Sequence, residues 1–76
     1  MNKERRQALQ DIVDKLTDLK DEIESIQEEE QEAYENLPEG IQASERGEAM
    51  EEAASNLENA VYSMEEVISS IESAAE

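Results

Sequence analysis

Apolar residues recur along this chain at alternating intervals of three and four. Leu9, Ile12, Leu16, Leu19, Ile23, Ile26, Ala33 and Leu37 make one run, and Met50, Ala53, Leu57, Ala60, Met64, Val67, Ile71 and Ala74 make a second. This is a heptad repeat with apolar a and d sites, which gathers side chains into one stripe along an α-helix and leaves the other positions to water. The pattern specifies shape far more tightly than it specifies chemistry.

All strong helix breakers lie together near the middle. Pro38, Gly40 and Gly47 are the only proline and glycines, so the turn belongs between the two runs. Pro38 cannot continue a helix and biases Leu37 toward extended backbone, which ends helix one at about residue 36. Ser44 is the best N-cap for helix two, with Glu45 and Glu48 at the positive end of the dipole. The expectation is a single domain over residues 1–76: helix one about 3–36, a turn at 37–44 in which Pro38 to Gln42 can form a short helical turn, and helix two about 45–75. Rods of about 45–50 Å joined so briefly return antiparallel. The fold class is all-α, an antiparallel, coiled-coil-like two-helix hairpin.

The two stripes differ in width. Helix one adds only Val13 and Tyr34 at the flanking e position, whereas helix two adds Ala54, Val61, Ile68 and Ala75. One narrow partner helix cannot cover a stripe three columns wide. A chain of 76 residues is also near the size at which one core is marginal. Two hairpins are therefore expected to pair as a homodimeric four-helix bundle.

Composition removes several function classes. The chain has no cysteine and no histidine, which excludes disulfides, thiolate chemistry, the usual zinc sites and a neutral-pH imidazole base. The start, Met1-Asn2-Lys3-Glu4-Arg5-Arg6, leads into alternating polar and apolar residues, so neither a signal peptide nor a membrane span is expected, and the location reads as cytoplasmic. Twenty-two acids oppose six bases for a net charge of −16. Five of the bases fall in the first twenty residues, while Asp21 to Glu45 holds ten acids and no base, and Gly47 to Glu76 holds eight acids and no base. Such a surface repels nucleic acid and anionic membranes and attracts basic proteins.

Individual positions weigh less. Glu30 occupies an a site, where a buried acid could fix register, but a long stem reaching water is the simpler reading. Tyr62 falls at f, opposite the stripe, where an exposed aromatic suits a contact surface. Tyr34 reads as a lid over the turn end of the core. Gly47 could admit a close backbone, although a glycine in a first helical turn is more often simply tolerated. Lys3, Arg5 and Arg6 are expected to pair on the surface with Glu72 and Glu76. Acid pairs such as Asp11/Asp14, Asp18/Asp21, Glu29/Glu32 and Glu48/Glu51 resemble magnesium steps of all-α nucleotide pyrophosphohydrolases, but arise by chance in so acidic a chain and lack a desolvating pocket. No enzyme activity, catalytic residue, metal site or cofactor is expected.

The stretch Ala33 to Asn59, with Tyr34-Glu35-Asn36-Leu37-Pro38-Glu39, Ser44-Glu45-Arg46-Gly47-Glu48-Ala49-Met50-Glu51 and Asn56-Leu57-Glu58, resembles small acidic helical-hairpin proteins of phages and mobile elements in Gram-positive bacteria. That resemblance implies an accessory protein acting in the bacterial host cytoplasm, and it carries over no site residues. The expected function is an acidic interaction module that binds and inhibits a basic, nucleic-acid-binding protein such as a nuclease, repressor or defence factor, by DNA mimicry. Duplex DNA carries about 30 charges over about 50 Å, and two chains of −16 carry −32. The acids to contact the partner would be Asp14, Asp18, Asp21, Glu28, Glu32 and Glu35 on helix one, with Glu51, Glu52, Glu58, Glu65 and Glu66 beside Tyr62 on helix two. The alternative is a non-inhibitory structural or assembly module whose acidity serves solubility.

Overall fold

A computed structural model describes residues 1–76, helical almost throughout and without strands. Helix α1 spans Lys3–Glu35, a short α2 spans Glu39–Gln42, and α3 spans Glu45–Ala74, within one residue of the expected bounds. The long helices run antiparallel. Tyr34 lies beside Glu51, and Lys20 meets Glu65 at 3.7 Å, so a step of two heptads back along α1 is a step of two heptads forward along α3. The result is a rod of 58 × 15 × 12 Å. No helix is long and apolar enough to cross a membrane.

Local chemistry sets each boundary. At the start of α1 the Asn2 side-chain oxygen accepts from the Arg5 amide at 2.8 Å, satisfying one of the free N–H groups of the first turn. At its end the Leu37 amide donates to the Tyr34 carbonyl at 3.1 Å, and Pro38 turns the chain with extended backbone, ψ 146°. Gln42 then reaches back from α2, donating its side-chain amide to the Tyr34 carbonyl at 3.1 Å and the Glu35 carbonyl at 3.4 Å. Those carbonyls have no partner within α1, so one glutamine closes the corner. Ser44 caps α3 as expected: its hydroxyl accepts from the Gly47 amide at 3.5 Å and donates to the Ile41 carbonyl.

Gly47 has a stricter role than tolerance. It is buried against α2, and a Cβ there would stand 2.5 Å from both the Ile41 carbonyl oxygen and the Gln42 carbonyl carbon, and closer still to the Gln42 carbonyl oxygen. Backbone cannot yield as a flexible side chain does. The close approach suggested by this glycine is made by the chain's own corner.

The hairpin seam departs from the expected a and d columns. Only three apolar residues are buried, Val13, Ala54 and Val61, and all three occupy e. The e residues Val13, Lys20, Gln27 and Tyr34 of α1, with Ala54, Val61 and Ile68 of α3 and its C-cap Ala75, are covered wholly or in part together with the a residues between them. The d column is turned outward: Ile12 is 43% exposed, Leu19 51%, Ile26 55% and Val67 49%. Ala33, Ala53 and Ala74 are exposed as well, and Ala60 is covered in part. Each helix has one long neighbour; α3 carries two apolar columns besides a and α1 carries d with a half-apolar e, so one column stays outside. On α3 the e column is the better one to cover, because Val61 and Ile68 fill the seam where d has Ala60 and Val67. On α1 it is affordable because Lys20 lays its stem along the seam and carries its ammonium out to Glu65. Glu30, half-buried at a, makes no ion pair or hydrogen bond.

The corner predicts a contrast between the two glycines. Nothing lies within 4 Å of a Cβ placed on Gly40, and its φ is negative. Gly47→Ala is expected to lower stability by about 1–3 kcal/mol through overpacking, whereas Gly40→Ala loses nothing and gains up to about 1 kcal/mol by restricting the unfolded chain. Urea unfolding followed by helical circular dichroism at one protein concentration checks both; equal stability of the two variants contradicts the close packing of α2 on α3.

Candidate interaction surface

Burying a and e divides the outside of the hairpin by helix geometry. On antiparallel rods the b and f positions of both helices lie on one side of the seam, d and g lie on the other, and c forms the outer edges. Asp14, Asp21, Glu28 and Glu35 stand at f of α1, and Glu51, Glu58 and Glu65 at b of α3, so seven of the expected contact acids share the b/f face. Asp18, Glu32, Glu52 and Glu66 fall at c, on the edges. All of these acids are exposed.

Two hollows mark where the acids converge. Glu24 and Gln27 of α1 meet Glu58, Val61, Tyr62 and Glu65 of α3 around an open groove. Asp21, Glu24, Ser25 and Glu28 line a shallower hollow on α1 alone. Tyr62 is 58% exposed, placing an aromatic surface between acids, while Val61 forms the apolar floor. Glu51, Glu52, Glu32 and Glu35 lie toward the corner, away from both hollows. Glu24 and Gln27 were not among the expected contacts. They are at b and e of α1, and only the choice of e over d for the seam brings them opposite Glu58 and Glu65.

Little offsets this negative charge. Lys20–Glu65 is the single ion pair, and the expected pairing of Lys3, Arg5 and Arg6 with Glu72 and Glu76 is not made. Long exposed side chains gain little over water by holding one geometry. Neutral amides engage part of the surface instead: Gln7 donates to Asp11 at 3.1 Å, Gln10 to Asp14 at 3.3 Å and Gln31 to Glu35 at 3.2 Å. Each joins successive turns of α1, a pairing worth about 0.2–0.5 kcal/mol. Nowhere do three carboxylates converge closely enough to hold a metal ion.

Tyr34 covers the corner end of the seam in part. Partial burial raises its hydroxyl pKa above the ordinary tyrosine value, and Glu51 raises it further by accepting its hydrogen bond and repelling the phenolate. Comparison with protein-family models, curated proteins and solved structures finds no match to the chain. The surface must be interpreted from its own chemistry.

A raised phenol pKa means that folding favours the neutral form. The linked stability is present below the ordinary tyrosine value and is lost as pH rises through the elevated one. In a Tyr62→Phe variant, where Tyr34 is the sole tyrosine, ultraviolet titration is expected to give a midpoint above that of unfolded chain. Adding Glu51→Gln should lower the midpoint, and an unchanged midpoint contradicts the Tyr34–Glu51 contact.

Proposed function

We propose that the protein is a non-catalytic acidic interaction module that occupies a basic surface on a nucleic-acid-binding protein, as an accessory protein of a phage or mobile element, and that it does so as a pair of hairpins. The observation that carries this reading is the b/f face, where acids of two helices stand side by side with one ion pair to offset them. A duplex as long as the 58 Å rod carries about 34 phosphates, and two chains of −16 carry −32. A groove that accommodates phosphate lines thus meets a comparable density of carboxylates on a comparable length.

Exposed charge alone is screened and discriminates poorly. The groove between Glu24 and Glu58 supplies what charge lacks, because Tyr62 and Val61 offer apolar contact where a basic side chain would be drawn in. The partner is a basic protein rather than nucleic acid or membrane, both of which this face repels. The alternative, an assembly module whose acids serve solubility, draws support from the exposed d column.

Pull-down of basic partners at low salt and at roughly 0.5–1 M salt distinguishes the two readings. Mimicry predicts a nucleic-acid-binding partner that is lost with salt and displaced by DNA. Reversing Glu51, Glu52 and Glu58 to Lys should abolish inhibition of that partner while leaving helicity intact. Unchanged inhibition in the reversed protein excludes mimicry.

A further inference from the structure

The d columns of the two helices do not diverge. Because α1 and α3 are antiparallel and both bury a and e, their d residues emerge on the same side of the hairpin. Ile12, Leu19 and Ile26 form a ridge there, and at matching heights beside it Val67 stands between the small Ala60 and Ala74. We infer that this d/g face is the surface on which a second copy of the chain docks, forming a two-fold pair that leaves both acidic b/f faces outward. The inference deepens the paired-hairpin part of the reading above and is independent of the basic partner.

Three observations favour a second copy over other occupants. The first is area. A compact monomer of 8.6 kDa exposes about 4,700 Å², whereas this chain exposes 5603 Å². The excess, about 900 Å², is close to the roughly 800 Å² that each partner covers in a stable interface.

The second is charge. From Ala49 to Ala74 the d and g positions of α3 hold no charged residue, with Asn56, Ser63 and Ser70 at g, while every acid of that stretch lies at b or c. A basic partner would be drawn to the opposite side of the rod. A chain of −16 can approach this side because few acids face it: α1 places Glu22 and Glu29 at g, with Lys15 in the same column between Ile12 and Leu19.

The third is self-complementarity. A two-fold pair brings the same patch against itself, so one face must supply both large and small partners. Here Ile12, Leu19 and Ile26 on α1 are large, and α3 supplies Val67 with the small Ala60 and Ala74. Ile12, Leu19, Ile26 and Val67, between 43% and 55% exposed, are the side chains such pairing would cover.

Sedimentation equilibrium of the intact chain tests the inference. A dimer is expected, and it should tighten with added salt, because screening relieves like-charge repulsion without weakening apolar contact. Binding of a basic partner moves the opposite way, so failure of one reading is visible apart from the other. Leu19→Glu with Val67→Glu should raise the dissociation constant by at least about 100-fold. Ser55→Glu with Ser69→Glu adds the same charge at f, off the docking face, and should leave a dimer. If the first variant does not fold, nitroxide labels on single cysteines decide: Val67→Cys labels should lie closer together across the pair than Glu65→Cys labels. A monomer at all concentrations overturns the inference, and so does a dimer in which the Glu65 labels are the closer pair.

Discussion

Everything in this hairpin depends on covering apolar columns with too few helices. A long helix with one long neighbour can hide about two columns, whereas α3 carries three and α1 carries two and part of a third. The a column is central to the stripe and is covered in any arrangement. The structure is therefore decided by whether d or e joins it. With e inside, the three buried apolar side chains are a small residue and two valines, and the rods pack into a section of 15 × 12 Å. The close approach is continued at the corner, where Gly47 admits the α2 carbonyls and Gln42 satisfies the end of α1.

Helix bounds were legible because they rest on local chemistry. Pro38 stops a helix whatever surrounds it, and Ser44 followed by acids starts one, so both boundaries could be placed without tertiary information. The short turn at Glu39–Gln42 was also visible, since Pro38 suits the entry to a helix. The role of Gly47 was not, because its reason is a neighbouring backbone that comes near only after α2 forms. The Gln42 cap is likewise a contact across the corner, although a polar residue closing a short helical turn is a fair signal of one.

The seam column could not be read from spacing. Ile12, Leu19 and Ile26 are more apolar than Val13, Lys20, Gln27 and Tyr34 as a set, so α1 taken alone argues for d. Only α3, where Val61 and Ile68 outweigh Ala60 and Val67, argues for e, and the two helices must share one seam. That rotation also explains what happened to the expected contact acids. Their exposure was legible, since acids outside an apolar stripe face water under either choice. Which of them stand together was not. Glu24 and Gln27 join Glu58, Tyr62 and Glu65 only because α1 turned its e column inward.

The same rotation addresses the difficulty that a charge of −16 poses for self-association. If acids were spread evenly around the rod, two copies would bring carboxylates together at close range. With e buried, the acids at b and f lie behind the seam, on the far side from d. Two hairpins joined at d would be separated by two helix layers of about 8–10 Å each, so the facing distance between their b/f surfaces exceeds the Debye length of about 8 Å at physiological salt. Glu22 and Glu29 at g of α1 remain near the join, and Lys15 stands in the same column to moderate them. One side of the rod can therefore be strongly acidic while the other stays open to a second copy, because a helix layer separates the two faces of each hairpin.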